Sequence, residues 1–125
     1  MMTLHAPVSL VARIFLSTIF IMAGAQKITG YAGTQAYMAK AGVPGELLPL
    51  VIALEVGGGI AILVGMYARY AALALAIFTI VAAVLFHADT ADRIQTILFM
   101  KNMAIAGGLL LLAANGPGRL AVNDQ

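Results

Sequence analysis

Leu54-Glu55-Val56-Gly57-Gly58-Gly59 places a carboxylate, then three glycines, inside an apolar segment running from Leu47 to Tyr67. A helix needs ~20 apolar residues to span a bilayer, and this segment has that length. Glu55 lies roughly nine residues from its start, so about 13 Å deep at 1.5 Å per residue. A charge at such depth costs about 2.5–3.5 kcal/mol on insertion scales, and Glu is too short to reach the interface easily. On a helix, Glu55, Gly58 and Gly59 share a face at i, i+3 and i+4. The face with the charge therefore lets another backbone come close. One reading is a glycine-rich helix contact with a structural ion pair. The other is a functional site, the default for an intramembrane carboxylate.

The rest of the chain has the composition that a membrane span requires. Of its 125 residues, 62% are hydrophobic and 10% charged, and the mean hydropathy is +1.00. A soluble globular domain carries about 25% charged residues. The polar surface needed in water is missing, so the chain reads as an integral membrane protein whose surroundings are the lipid bilayer. Its net charge of +2 rests on few residues, with no basic run, so no nucleic acid partner is expected. The lack of cysteine excludes thiolate catalysis, disulfide exchange, Cys-ligated iron–sulfur clusters and covalent c-type haem. No haem, flavin or metal signature is present: His5 lies in the tail, and His87 with Asp89 and Asp92 in one loop is not a ligand set.

Four apolar segments are long enough to cross: about Val8 to Ile28, Leu47 to Tyr67, Ala71 to Phe86 and Ile94 to Ala114. The first is read as an uncleaved span, because Met1 to Pro7 hold no Lys or Arg. Within it Arg13, Ser17, Phe20, Gly24 and Lys27 recur at helical spacing as one polar-and-small stripe. Arg13 is expected to snorkel to the headgroups; Lys27 divides between snorkelling and a site. Residues 30–49 are too interrupted to span. They predict a short interfacial helix between the first two spans, with Thr34 as N-cap and Gly42 with Pro44 as its stop. That helix is either a lid or an ordinary connection. The fold class is therefore all-α: a polytopic bundle of four transmembrane helices, as a single domain over residues 1–125. Gly58 and Gly108 are expected to mark close helix contacts. Gly58-Gly59 followed by Arg69 is faintly echoed by Gly107-Gly108 followed by Arg119.

Alternate spans run in opposite directions. Tracing the crossings puts Lys27, Glu55, His87, Lys101 and Asn102 toward one membrane face, opposite the termini. Left alone, Lys27, Glu55 and Lys101 would together cost about 9 kcal/mol, against a typical folding free energy of ~5–15 kcal/mol. Glu55 is therefore expected to pair with Lys101 or Lys27. Lys101 matches it best in depth, ~12 Å in from Arg93. The expected result is a polar pocket inside the bundle, open to one face.

Gly24-Ala25-Gln26-Lys27 closes the first span, Glu55 precedes Gly57-Gly58-Gly59, and His87 ends the third span. Lys101-Asn102 precedes Gly107-Gly108, and Gly116-Pro117-Gly118-Arg119 follows the fourth. In this order and spacing, over nearly the whole chain, the set resembles the DoxX family of small bacterial membrane proteins. The resemblance implies a four-helix bundle in the bacterial inner membrane and a link to redox chemistry. Relatives include a subunit of thiosulfate:quinone oxidoreductase. Gln26 joins Lys27, Lys101 and Asn102 as candidate ligand-binding residues, with His87 and Glu55 as the candidate catalytic pair.

Two functions follow. In the first, the chain is a membrane subunit of a quinone-linked oxidoreductase. Lys27, Lys101, Asn102 and His87 donate hydrogen bonds to the quinone carbonyls, while His87 and Glu55 relay protons. The electron donor is then a soluble or membrane partner protein or a diffusible reductant, and a homo-oligomer is compatible. In the second, the chain is a non-catalytic scaffold or assembly factor whose buried charges set helix register. Arg13, Arg69 and Arg119 lie with the termini, and Lys40 and Arg93 opposite. With Lys27 and Lys101 set aside as site residues, this leans to cytoplasmic termini.

Overall fold

Apolar runs of spanning length, broken by Gly, Pro and charge, become helices joined by short turns in the computed structural model, which describes residues 2–124. The order is α1 (Met2–Thr29), α2 (Tyr31–Lys40), a 3-10 turn (Gly45–Leu47), α3 (Leu48–Val64), α4 (Ala68–Phe86) and α5 (Arg93–Asn115). Four helical stretches are long and apolar enough to cross a membrane: His5–Thr29, Gly45–Val64, Ala68–Phe86 and Arg93–Asn115. The expected all-α, four-span architecture is what the chain adopts. α1 packs along α3 and α4 along α5, and α4 joins the two pairs through α3, while α3 and α5 are not in contact. The centre holds Phe20, Ile62, Leu75, Ala76 and Leu109. The outside is equally apolar, with Phe15, Leu50 and Leu111 exposed. Small residues bring α4 close to its neighbours: Ala68, Ala72, Ala76 and Ala83 are buried on one face.

The glycine contacts differ in part from expectation. A Cβ on Gly59 would lie 2.7 Å from Ile21 Cγ1 and 3.3 Å from the Ser17 carbonyl oxygen. A Cβ on Gly24 would fall on Val56 Cγ2. These two positions set the α1–α3 approach. Gly58 meets a side chain, Leu75, at 3.0 Å, and Gly108 meets Leu16 only at an ordinary 3.5 Å. Gly108 therefore does not mark a close backbone contact; the glycine pair of α5 resembles that of α3 in sequence but not in packing. Gly59→Ala is expected to cost about 1–3 kcal/mol by overpacking, whereas Gly108→Ala is expected to melt like the parent protein. Thermal melts in detergent compare the two, and equal melting of both variants would contradict this packing.

The helix ends show where the arginines go. The last four carbonyls of a helix lack intrahelical partners. In α3, Ala61 O accepts from the Gly65 and Met66 amides and Val64 O from the Val122 amide. Ile62 O and Leu63 O accept from Arg13 Nη1 at 3.1 and 2.9 Å, and Arg13 Nη2 also donates to Leu120 O. Arg13 is 1% exposed. It does not snorkel to the headgroups, because carbonyls of the neighbouring helix end and the C-terminal tail are nearer donor-seeking partners, at the negative end of the α3 dipole. Arg69 does the same for α5, donating to Ala114 O and to Asp124 O in the tail. The internal echo thus runs through Arg13 and Arg69 on α1–α3 and α4–α5, not through Arg69 and Arg119. Gly65 and Gly116 follow their helices with φ of +75° and +83°, the left-handed region where glycine ends a helix cheaply.

At the other face, α2 follows α1 after Gly30, and Gly42 ends it at φ +78°, as expected. Thr34 is not its N-cap. The helix starts earlier, at Tyr31, and the Thr34 hydroxyl donates back to Gly30 O within the first turn. Asp92 is the cap of α5, accepting from the Ile94 and Gln95 amides.

Candidate functional site

The antiparallel α1–α3 contact brings the end of α1 beside the first half of α3. Lys27 Nζ lies 2.8 Å from Glu55 Oε1, with Glu55 buried and Lys27 about a quarter exposed. The ion pair expected for Glu55 exists, and its cation is Lys27. Lys101 is on the outer face of α5 and makes no ion pair among the described residues. It does not reach Glu55, because α5 packs on α4 and not on α3, and its position on the helix, about 100° from Asn102, turns it to the exposed side. Asn102 faces inward, donating from Nδ2 to the Thr79 carbonyl at 3.2 Å.

Beside the ion pair lies a partly open chamber of about 460 Å³, bordered by α1, α2, α3, α4 and α5 on the side away from the termini. Ligand cavities typically hold about 300–1,000 Å³ and combine apolar walls with few polar groups. Here Phe20, Val51, Leu85 and Ile105 supply apolar wall, and Glu55, Lys27, Asn102, Thr79 and His87 the polar points. α2 forms part of the wall through Thr34, Tyr37 and buried Met38. Tyr37 stacks on Phe86 with ring centroids 5.0 Å apart. Of the two readings for this helix, a cover over the bundle describes its position.

Thr79 was missed by sequence reasoning. It is 3% exposed, and its hydroxyl has no hydrogen-bond partner among the described residues. The available signal was a lone hydroxyl in the otherwise apolar run of α4. His87, which caps the end of α4, has Nδ1 2.8 Å from Gln95 Oε1. With that nitrogen donating, Nε2 of the neutral ring is left to accept. Gln95, in the first turn of α5, was also unforeseen. Gln26 is exposed and lies outside the chamber, against a separate groove. The chamber therefore gathers Glu55, Lys27, Asn102 and His87, and leaves out Lys101 and Gln26. Among the described residues no group of three His, Asp or Glu could hold a metal ion.

Comparison with known proteins agrees with this architecture. A family model described as DoxX matches residues 8–88. Inner membrane protein YqjF of Escherichia coli (strain K12) is 55% identical over 114 residues, covering 91% of this chain and 88% of the relative. Inner membrane protein YphA of the same organism is 39% identical over 123 residues, covering 93% of this chain and 88% of the relative. No solved structure matches the chain.

Proposed function

The chain belongs to the DoxX family and is a multi-pass inner-membrane protein, and on that premise we propose that it binds a quinone-like molecule in the chamber beside Glu55. The observation that carries the reading is the Thr79 hydroxyl, buried and unpartnered beside an ion pair in a mostly apolar chamber. A buried hydroxyl without a partner costs about 1–3 kcal/mol. A ligand oxygen in the chamber removes that cost, and a quinone ring presents such oxygens on an otherwise apolar body. The residues fit their roles. Thr79, Asn102 and Lys27 donate hydrogen bonds to carbonyl oxygens. Glu55 and His87 hold or pass the protons that reduction of the ring requires. Glu55 has the Lys27 ammonium beside it, and His87 has Nε2 free to accept. On this reading the electrons come from outside the chain, from a soluble or membrane oxidoreductase partner or a diffusible reductant.

A scaffold whose charges are purely structural is the competing reading. It accounts for the Lys27–Glu55 pair but not for the chamber or for the unpartnered hydroxyl. The deciding measurement is mass spectrometry of small molecules extracted from the purified protein. A quinone at near-stoichiometric level is expected, and a protein that neither retains nor rebinds a quinone supports the scaffold. Thr79→Val and His87→Ala are expected to keep the parental melting temperature while quinone binding weakens about tenfold or more, ~1.4 kcal/mol per tenfold. Parental affinity in both variants would contradict the assigned roles.

The site changes the charge count behind the expected cytoplasmic termini. With Lys101 outside the chamber, Arg13, Arg69 and Arg119 on the terminal face are matched by Lys40, Arg93 and Lys101 on the other, so Lys and Arg give no lean to either orientation.

A further inference from the structure

Ala23, Lys27, Thr34 and Tyr37 line the chamber and also line a second, shallower groove of about 410 Å³. The remaining walls of this groove are Gln26, Gly30 and Gly33, so it sits on the outside of the bundle where α1 ends and α2 begins. Small residues make it. Around Gly33 there is nothing within 4 Å of where a Cβ would stand, and at Gly30 only the Gln26 carbonyl, at 3.4 Å. The approach to it is hydrocarbon. Phe15, Met22 and Gln26 follow at i, i+7 and i+11, on one face of α1. On that face Phe15 is 74% and Met22 54% exposed, as suits side chains in contact with lipid. An apolar stripe thus climbs the outer face of α1 to the groove, and four side chains separate the groove from the chamber.

We propose that this groove is a lateral portal that seats the hydrocarbon tail of the ligand whose ring occupies the chamber. The ligand class is then a prenyl- or alkyl-tailed quinone drawn from the bilayer, not a water-soluble ring. The proposal rests on the quinone reading above. Lys27 stands at the junction. Its ammonium is held at Glu55, and the residue lines both spaces, which suits the point where a polar ring joins an apolar tail. No hydrogen-bond readout is needed in the groove; its small side chains leave room for a flexible chain to lie between two helices.

The test uses two ligands with the same 1,4-naphthoquinone ring, one bare and one carrying a ten-carbon tail, and the protein in lipid nanodiscs. Affinities are compared as variant over parent for each ligand, so that partition into the bilayer cancels. Gly33 has nothing within 4 Å of where a Cβ would stand, so Gly33→Trp starts from open space, reaches into the groove and replaces glycine in a helix, and it is expected to fold. It should weaken the tailed quinone about tenfold and leave the bare ring within about twofold. Gly30→Leu, at the other glycine wall, is the second variant and should do the same. Gly107→Trp, on open space of α5 away from both cavities, should change neither. Equal effects on the two ligands, or no effect on either, overturn the portal and leave the chamber reading intact. A parent protein that binds neither ligand overturns both.

Discussion

Lys27→Met is expected to destabilise the protein by about 3–5 kcal/mol, and Glu55→Gln by markedly less. The figure is that for stranding one charge of a buried pair, and the asymmetry comes from position. Removing Lys27 leaves a carboxylate on a short side chain, buried at mid-span against Gly24 of α1 and too short to reach the headgroups. Removing Glu55 leaves an ammonium that is already about a quarter exposed. Its long stem, one turn from the end of α1, can carry it toward the headgroups. The double variant Lys27→Met/Glu55→Gln should recover much of the loss, because neither charge is then stranded. Lys101→Met should melt like the parent, since Lys101 touches neither Glu55 nor the chamber. The measurement is a double-mutant cycle of thermal stability in detergent. Losses that simply add in the double variant would dissolve the pair, and a collapse on Lys101→Met would restore the depth-matched partner.

Arg13→Met should be about as damaging as Lys27→Met, at the opposite face. The side chain is fully buried and donates to three carbonyls from two segments, the end of α3 and the tail. Truncating it leaves those acceptors without donors in a site closed to water, at about 1–3 kcal/mol for each unsatisfied group. It also frees the tail on one side, leaving the Val122 and Asn123 amides and Arg69 to hold it. Arg13→Lys keeps the charge, but a compact ammonium cannot present a planar fork to carbonyls on both sides, so only partial rescue is expected. Melting temperature and protease cleavage within residues 116–124 read the two effects. Parental melting together with a parental cleavage rate in Arg13→Met would show that the guanidinium is not what ties α1, α3 and the tail together.

Much of this molecule is legible without coordinates. Apolar runs of spanning length give the four helices, because a backbone in hydrocarbon must satisfy its own hydrogen bonds. Counting crossings brings Lys27, Glu55, His87 and Asn102 to the face opposite the termini, because depth in a span follows from residue number alone. Glycines at 42, 65 and 116 end helices where the chain turns, a local property of backbone conformation. The charge at Glu55 announces a partner cation, because no carboxylate stays alone at that depth. What only the tertiary structure decides is azimuth and neighbour. It turns Asn102 inward and Lys101 outward, gives Glu55 to Lys27 because α1 and not α5 lies against α3, and draws Arg13 to carbonyls rather than headgroups. It also leaves Thr79 facing an open chamber. In a soluble helix the apolar stripe would reveal which side faces the core. In a bilayer lipid and core are equally apolar, so hydropathy reports how deep a residue lies but not which way it points, and packing alone supplies the rotation.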